Sequence, residues 1–372
     1  MTSRKVRVLV VDDTVLYRKV LSDVLALLPD AEVVGTAGNG KIALAKIEQL
    51  KPDLLTLDVE MPEMDGLATL HELQRRKYDV AVVMVSAHTS EGAAVTMKAL
   101  ERGAFDFIAK PDGTSLEKNR DSLLRQLRPV IQTVSTRKLL RSTFATSITA
   151  NSMRSAVATA EAAVLETRKP PEPPRPASAP PQGRVAIVAI GISTGGPNAL
   201  AEVIPRLPAN LRVPVVIVQH MPPVFTKALA ESLNQKSLLN VIEAQGDERL
   251  EAGKVYIAPG AKQMKVVKRA AGEYLQLTDD PPENHCRPAA DYLFRSVAAV
   301  YGNRALGVIM TGMGSDGVKG LQLMKEQGAQ VIAQDEATCV VFGMPMEAIK
   351  AGVTDVVIPL PRISSEITNR VK

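Results

Sequence analysis

Short apolar segments alternate with helix-like segments five times between Val6 and Leu127, and this alternation strongly limits the possible folds. Apolar, β-branched-rich runs are typical of buried parallel strands, and the segments between them have helical spacing. The pattern predicts an α/β fold with a five-stranded doubly wound sheet and a last helix near Ser115–Leu127. The five predicted strands are VRVLVV (Val6–Val11), AEVVGTA (Ala31–Ala37), LLTLDV (Leu54–Val59), VAVVMVSA (Val80–Ala87) and AFDFIAK (Ala104–Lys110).

A second alternation of strands and helices begins at Arg184 and continues to Lys372. Within it, the stretch Lys254–Thr278 is typical of short antiparallel strands inserted in a parallel sheet. The C-terminal half is therefore predicted to be a doubly wound, mostly parallel α/β domain with a short antiparallel insertion. Its clearest parallel strands are RVAIVAIG (Arg184–Gly191), VPVVIVQ (Val213–Gln219) and ALGVIMT (Ala305–Thr311).

The segment between the two patterns is predicted to be a linker. Its periodicity decays into Ser, Thr, Ala and Arg, and it ends in PPEPPRPASAPPQ (Pro170–Gln182), a composition that favours extended polyproline conformations. The stretch Met153–Arg168 is Ala-rich enough for a helix but lacks a clear apolar face. We expect one domain at residues 1–128, a basic then Pro-rich linker at 129–183 and a second domain at 184–372.

Composition excludes several classes of protein. The sequence has neither a long apolar run nor a charged-then-apolar leader at Met1, so we expect a cytoplasmic protein without membrane insertion. Two cysteines are too few for a disulfide framework, and neither has neighbours at metal-ligand spacing. The net charge of +5 comes largely from residues between Arg125 and Arg184, where aromatics are almost absent, so nucleic acid is not an expected partner.

Polar residues stand at successive strand ends of the N-terminal pattern. Three carboxylates brought together there repel one another unless a divalent cation lies among them, and Mg²⁺ prefers such all-oxygen sites. Asp58 is the central carboxylate and the natural nucleophile for a phosphoryl group. Any one of the Asp or Ser residues alone could instead cap a helix, but five polar residues at successive strand ends disfavour that explanation. The five are Asp12, Asp13, Asp58, Ser86 and Lys110.

Ser193, His220 and Asp316 follow three strands of the C-terminal pattern, where parallel strands place their chemistry. They suit a nucleophile, a general base and the carboxylate that orients it. The glycines around Met313 free its backbone N–H to polarise a carbonyl oxygen. His285 is a rival base in a loop before a helix, and Asp316 has the alternative role of capping the helix that follows it.

Two other motifs fit the glycines around Ser193, but the order of the triad residues disfavours the first and the residues at the end of the next strand disfavour the second. Gly191-x-Ser193-x-Gly195 matches a nucleophile elbow, but that fold orders its triad as Ser, acid, His rather than Ser, His, Asp. The same glycines suit a dinucleotide-binding turn, which requires an acid at the end of the next strand, where Gln219 and His220 stand.

The N-terminal constellation, with MPEMDG (Met61–Gly66) and FIAKP (Phe107–Pro111), closely resembles the receiver domain of two-component response regulators, which has a flavodoxin-like fold. The resemblance implies phosphorylation of Asp58 by a histidine kinase and Mg²⁺ at Asp12, Asp13 and Asp58. It also implies a switch through Ser86, Phe107 and Lys110, and a cis Lys110–Pro111 bond.

The C-terminal motifs GISTGGP, VVIVQHM, VYIAPG, RPAADYLF and TGMGSDG, behind a receiver, resemble the chemotaxis protein-glutamate methylesterases. The resemblance implies Ser193 as nucleophile, His220 as base, Asp316 as its partner and the Met313 amide in the oxyanion hole. Thr194 matches a further active-site position. Gln263 departs from the family at a place where some relatives carry His.

The resemblance also implies a substrate and a form of control. The expected substrates are methylated chemoreceptors, whose glutamate methyl esters are hydrolysed and whose glutamines are deamidated in some relatives. No cofactor is expected in the esterase site. The unphosphorylated receiver is expected to contact and cover that site. The alternatives are a non-catalytic signalling scaffold controlled by the receiver and, less favoured by the βα pattern, a DNA-binding regulator.

Overall fold

The computed structural model describes residues 5–111, 115–154 and 184–372. In the N-terminal half, five parallel strands form one sheet in the order β2-β1-β3-β4-β5, which confirms the predicted fold. The strands are β1 (Val6–Val11), β2 (Ala31–Ala37), β3 (Leu54–Asp58), β4 (Ala81–Ser86) and β5 (Asp106–Ala109). The helices are α1 (Val15–Ala26), α2 (Gly40–Leu50), α3 (Gly66–Arg75), α4 (Ser90–Glu101) and α5 (Leu116–Arg154).

The central strand β3 shows why this sheet collects polar residues at one edge. All five of its residues are buried, because helices cover both faces of the sheet. Its last residue, Asp58, pairs with Val85 of β4, and Ser86 at the end of β4 pairs with Ala109 of β5. The carboxyl ends of the strands therefore meet at one edge.

Helix α5 is longer than the sequence predicts. The predicted helix stops at Leu127, before Pro129, whereas the observed helix continues to Arg154, so the first part of the expected linker is helical. A proline inside a helix removes one hydrogen bond and is costly. Here Val130 and Ile131 continue the buried face of Leu127, and their packing offsets that cost. The expected polyproline segment and most of the Ala-rich stretch lie outside the described residues.

In the C-terminal half, seven parallel strands form a sheet in the order β14-β13-β12-β6-β7-β9-β8. They are β6 (Ile187–Ile192), β7 (Val215–Gln219), β8 (Asn240–Glu243), β9 (Lys254–Ile257), β12 (Ala305–Ile309), β13 (Gln330–Gln334) and β14 (Val356–Ile358). A separate antiparallel pair is formed by β10 (Gln263–Arg269) and β11 (Gly272–Thr278). The helices are α6 (Gly196–Val203), α7 (Phe225–Lys236), α8 (Ala290–Tyr301), α9 (Val318–Glu326), α10 (Met344–Lys350) and α11 (Leu360–Arg370), with 3₁₀ turns at Ile204–Arg206 and Gly302–Arg304.

The mostly parallel sheet with a short antiparallel pair confirms the predicted class, with one correction. The sequence places KVYI (Lys254–Ile257) among the antiparallel strands, but β9 pairs in parallel with both β7 and β8. Because β9 lies inside the sheet, Val255, Tyr256 and Ile257 are buried and form the apolar run of a parallel strand.

Strand β6 lies between β7 and β12, and the chain continues from β6 and from β12 in opposite directions across the sheet. Such a reversal opens a crevice outside the carboxyl ends of the two strands, where ligands of open α/β sheets bind. The turns that follow β6 and β12 therefore border one crevice.

Among the described residues the cis peptide bond is Arg287–Pro288, so the implied cis bond at Lys110–Pro111 is wrong. The two isomers before proline differ by only about 0.5–1 kcal/mol, and tertiary context selects one of them. No helix in the described ranges has the length and apolar character that a membrane span requires.

Candidate active site and phosphorylation site

Ser193 lies in the turn that leaves β6 at the crevice. Its backbone N–H donates to the carbonyl of Thr311, 2.9 Å away, and its carbonyl accepts from Gly196 N at 2.7 Å, which closes the turn. Gly195 adopts φ +75°, a conformation that favours glycine. Helix α6 begins immediately afterwards with Pro197 in its first turn, a position that suits proline. The hydroxyl thus stands beside the N-terminus of a helix.

His220 follows the neighbouring strand at the same level. Ile192 pairs with Gln219 in the sheet, and His220 N donates to Ile192 O at 3.2 Å. The imidazole Nε2 lies 2.7 Å from Asp316 Oδ2, and the two side chains are only 12% and 3% exposed. Because a carboxylate accepts hydrogen bonds, Nε2 carries a proton in this pair. The structure therefore brings His220 and Asp316 together from opposite sides of the crevice.

Asp316 receives donors from three directions besides His220. Its carboxylate accepts from Ala290 N at 2.6 Å, from Asp291 N at 3.1 Å and from Asn284 Nδ2 at 2.8 Å. Burial acts to raise the pKa of Asp316, but the hydrogen bond and charge of His220, with these donors, hold the pKa below its ordinary value. Asp316 is thereby kept ionised in a buried place.

The alternative role of Asp316, capping the helix that follows it, is wrong. Helix α9 starts at Val318 after Gly317, and no side chain caps its first turn. The backbone donors to Asp316 belong instead to Ala290 and Asp291, the first residues of α8. The carboxylate thus lies at the N-terminus of a helix from elsewhere in the chain, where a negative charge is stabilised.

Burial and two neighbouring side chains also shift the pKa of His220. Burial acts to lower it, but hydrogen bonds with Asp316 and Cys286 outweigh burial and raise the pKa above the ordinary value. The second ring nitrogen, Nδ1, lies 3.6 Å from Cys286 Sγ. In the described part of the chain no hydrogen bond joins the Ser193 hydroxyl to His220, so the ring is here engaged with Asp316 and Cys286. Contacts of a base with its nucleophile often tighten only when substrate binds.

The loop after β12 brings Met313 to the same crevice. A Cβ on Gly312 would lie 2.7 Å from Ser193 Cβ, so this backbone passes directly beside Ser193. Gly312 N donates to Val341 O at 3.0 Å, while the N–H of Met313 has no acceptor within the described ranges. Met313 as a whole is exposed, at 39%. A free amide next to Ser193 has the chemistry of an oxyanion donor.

Thr194 contributes its backbone to the site. Its carbonyl accepts from Thr311 Oγ1 at 2.9 Å, and Thr311 Oγ1 in turn accepts from Val341 N at 2.9 Å. These bonds tie the turn of Ser193 to the loop that carries Met313. His285, the rival base, lies in a turn with φ +63°, and its side chain has no hydrogen bond to Ser193 or Asp316 among the residues described.

The carboxylate cluster of the N-terminal sheet forms as predicted from the strand ends. Lys110 Nζ lies 2.8 Å from both Asp12 Oδ2 and Asp58 Oδ2. Carboxylate oxygens of Asp12, Asp13 and Asp58 all lie within 4.8 Å of one another. Burial raises the pKa of Asp58 to about 7; the hydrogen bond from Lys110 opposes this rise, and the Asp12 charge adds to it. One lysine does not neutralise three carboxylates. Ser86 ends β4 beside them, and its hydroxyl is buried.

Comparison with known proteins identifies both halves. Residues 188–367 match the family model of the CheB methylesterase, and residues 8–119 match that of the response regulator receiver domain. A protein-glutamate methylesterase/protein-glutamine glutaminase of Desulfotalea psychrophila is 48% identical, with 99% of each chain covered. The protein of the same name from Bacillus subtilis is 44% identical, again with 99% of each chain covered. This chain belongs to the protein-glutamate methylesterase family.

A solved structure is also similar to part of the chain. The catalytic domain of the Thermotoga maritima CheB methylesterase is 43% identical, covers 50% of this chain and 98% of its own, and has a TM-score of 0.49.

The receiver and methylesterase domains touch through aromatic rings. The ring of Phe107, at the predicted switch position, stacks on Phe225 at the start of α7 with centroids 4.6 Å apart. His88 meets the same Phe225 ring edge-on at 5.8 Å. Phe107, the predicted switch residue of the receiver, is therefore packed against the methylesterase domain.

Hydrogen bonds extend this contact to the turn of Ser193. Asp106 Oδ2 accepts from Gly195 N at 3.0 Å, and Asn198 Nδ2 donates to Ala104 O at 3.0 Å. At the outer edge, Glu101 accepts from Ser232 Oγ at 2.6 Å. Strand β5 of the receiver thus binds a backbone amide two residues after Ser193.

Sequence reasoning missed several residues of the site. Gln219 Nε2 donates to Ser193 O at 2.9 Å and to His220 O at 3.3 Å, which ties the two turns together. Asn284 donates to both Asp316 and Asp291. In the sequence, Gln219 argues only against a nucleotide site, and nothing around Asn284 indicates that Asp316, 32 positions later, lies beside it. Gln263, which stands where some relatives of the family carry His, is buried, and its Oε1 accepts from Ala289 N at 2.9 Å.

Proposed function

We propose that the chain is a phosphorylation-activated serine esterase that hydrolyses γ-glutamyl methyl esters on chemoreceptors. The observation that carries the proposal is the 2.7 Å contact between His220 Nε2 and Asp316 Oδ2 beside the turn of Ser193. Its relatives, matched over nearly their whole length, are named protein-glutamate methylesterase/protein-glutamine glutaminase. A non-catalytic scaffold has no need of an ionised, buried carboxylate that orients a histidine, so that alternative is not favoured.

In the first half-reaction, His220 accepts the proton of the Ser193 hydroxyl through the nitrogen that does not face Asp316. The Ser193 oxygen forms a bond to the ester carbonyl carbon, whose oxygen becomes negatively charged and accepts from the Met313 amide. The bond to the methoxy group then breaks. His220 returns its proton to the leaving oxygen, so methanol departs and a glutamyl ester of Ser193 remains.

The second half-reaction regenerates the enzyme. His220 removes a proton from water, the hydroxide oxygen bonds to the acyl carbon, and the Ser193 oxygen leaves and takes the proton back. The receptor glutamate emerges as a free carboxylic acid and ionises. A receptor glutamine enters the same sequence with ammonia as the first leaving group, so deamidation requires no further residue.

The receiver supplies the control. A histidine kinase transfers its phosphoryl group to Asp58, with Lys110 and Ser86 placed to contact the phosphoryl oxygens. The three clustered carboxylates fit Mg²⁺, because they offer only oxygen and lack a matching positive charge. When bound, Mg²⁺ neutralises charge as the phosphoryl group approaches. Asp12, Asp13 and Asp58 would hold the ion.

Control reaches the esterase through the domain contact. In the docked arrangement β5 holds Gly195 N, and Phe107 packs on Phe225, so the turn of Ser193 is partly covered by the receiver. Phosphorylation of Asp58 weakens this contact and opens the crevice to a receptor. Because the domains are tethered, a weak interface suffices, and a change of about 1.4 kcal/mol in docking alters the docked-to-free ratio tenfold.

Methanol release from methylated chemoreceptor membranes tests the proposal. We expect release with the full chain and none above background with Ser193→Ala, because the acyl group then has no acceptor oxygen. Ser365→Ala, which removes an exposed hydroxyl on α11, is the matched control and should release methanol normally. Equal release by Ser193→Ala and the unaltered chain would overturn the proposal.

A further inference from the structure

A thiol lies beside the catalytic histidine, although neither cysteine has neighbours at metal-ligand spacing along the chain. His220, Cys286 and Asp316 each offer a ligand atom, and the three atoms lie within 4.8 Å of one another. Cys286 is half-buried and free, and its Sγ faces His220 Nδ1. We propose that His220 Nδ1 and Cys286 Sγ form a binding site for a zinc-like divalent cation, which inhibits the esterase.

The spacing of the two atoms matches the coordination chemistry of zinc. Zinc bonds thiolate sulfur at about 2.3 Å and imidazole nitrogen at about 2.0–2.1 Å, and tetrahedral angles then separate the two ligand atoms by about 3.6 Å. The observed distance between Cys286 Sγ and His220 Nδ1 is 3.6 Å. A cation that bridges them therefore needs little movement of either side chain. Nitrogen and sulfur together favour zinc over Mg²⁺.

The other nitrogen of the imidazole is already held as in many zinc sites. A histidine that binds zinc commonly donates its second N–H to a carboxylate, which fixes the orientation of the ring. His220 Nε2 makes this contact with Asp316 Oδ2 at 2.7 Å, and Asp316 is itself fixed by Ala290 N and Asn284. The lone pair of Nδ1 is thereby directed away from Asp316.

The loop that carries Cys286 is also fixed. Buried Gln263 donates from Nε2 to Cys286 O at 3.4 Å, and Glu283 and Cys286 exchange two backbone hydrogen bonds of 3.1 and 2.7 Å. Cys339 offers a contrast within the same domain. Burial, with the Asp335 charge, raises the pKa of its thiol to about 12, and it belongs to no ligand cluster found in the described ranges.

Inhibition follows because the cation would bind His220 Nδ1, the nitrogen that the esterase reaction needs as its base. With Nε2 facing Asp316, Nδ1 is the nitrogen available to take the proton from Ser193. A cation bound to Nδ1 uses the same lone pair, so His220 can no longer act as a base. This consequence depends on the proposed esterase function, whereas binding of the cation does not.

Cobalt binding to the full chain tests the site without any activity measurement. Co²⁺ replaces zinc and gives a near-ultraviolet charge-transfer band when it binds a thiolate. With Mg²⁺ in excess at the receiver carboxylates, we expect this band in the unaltered chain, in Ser193→Ala and in Cys339→Ser. It should disappear in Cys286→Ser and in Cys286→Ala. Absence of the band from the unaltered chain, or its persistence in both Cys286 variants, would overturn the proposal.

Zinc inhibition of methanol release completes the test. Measured without phosphodonor, and relative to each variant's own zinc-free rate, the concentration of ZnCl₂ for half inhibition should rise at least about tenfold in Cys286→Ser, which corresponds to loss of about 1.4 kcal/mol of binding. Cys339→Ser should match the unaltered chain. Equal inhibition of all three would contradict the site. If none releases methanol even without zinc, the esterase proposal fails, and the cobalt band still decides the metal site.

Discussion

The two domains each bury a carboxylate at the carboxyl edge of a parallel sheet, but the surroundings shift the pKa of the two carboxylates in opposite directions. In the methylesterase domain, four donors surround Asp316 and its pKa is lowered. In the receiver, burial raises the pKa of Asp58 to about 7, with Asp12 close by and Lys110 as the opposing cation. The first carboxylate is stabilised as an anion that orients a histidine. The second is left short of positive charge, which suits a site that receives Mg²⁺ and a phosphoryl group.

The largest expected effect comes from substitution of Asp316, the carboxylate that is stabilised as an anion. Asp316→Asn removes the charge that orients His220 and stabilises its protonated form, so we expect kcat for methanol release to fall by about 10⁴. Asp279→Asn, at an exposed carboxylate of the same domain, serves as the control and should leave kcat within twofold. A fall of less than tenfold for Asp316→Asn would show that His220 does not depend on this carboxylate.

The pH dependence of kcat/KM also tests whether Asp316 raises the pKa of His220. His220 must be neutral to act as a base, and its pKa is raised in the folded protein, so kcat/KM should increase with pH through a value above the ordinary pKa of about 6.5. Loss of the Asp316 charge lowers the pKa of His220. The rising limb of Asp316→Asn should therefore move to lower pH. A limb at the same pH in both proteins would argue that another group titrates.

The aromatic contact between the domains predicts a smaller effect. Phe107→Leu keeps an apolar side chain but loses the stacked ring, and such ring pairs contribute about 0.5–1.5 kcal/mol beyond buried area. We expect the rate of methanol release without phosphodonor to rise between about twofold and tenfold, because the undocked form becomes more populated. An unchanged rate would mean that Phe107 does not hold the docked state.

The smallest expected effect lies at the rim of the interface. Glu101→Gln removes the charge that pairs with Lys236 Nζ at 2.5 Å, and pairs exposed to this degree contribute about 0.2–1 kcal/mol. The unphosphorylated rate should rise by no more than about fivefold, and less at high salt. Glu91→Gln, on the same helix α4, is the matched control. An equal rise in both variants would point to a general charge effect rather than to docking.

Strand ends were predictable from the sequence, and most of the candidate site follows from them. Ser193, His220 and Asp58 stand directly after or at the end of apolar runs, and parallel pairing brings such positions together. The contacts of Asp316 could not be predicted, because its backbone donors belong to α8 and only the tertiary fold brings them near. The closeness of Cys286 to His220 has the same origin, since 66 positions separate them.

The end of α5 shows where local signals misled. Pro129 is a sound indication of a helix end, and the residues after it are less periodic than those before. The helix nevertheless continues, because Val130 and Ile131 bury their side chains against the receiver core. Packing against other elements therefore outweighed the local preference. The domain boundaries at 128 and 183 remain predictions.

The most direct test compares methanol release with and without a small phosphodonor and Mg²⁺, in the full chain and in Asp58→Asn. Both proteins should release methanol at a basal rate, because Ser193, His220 and Asp316 are intact in each. Phosphodonor should raise the rate of the unaltered chain and leave Asp58→Asn at its basal rate. Equal stimulation of the two would contradict control through Asp58 and, with it, the link between the receiver and the turn of Ser193.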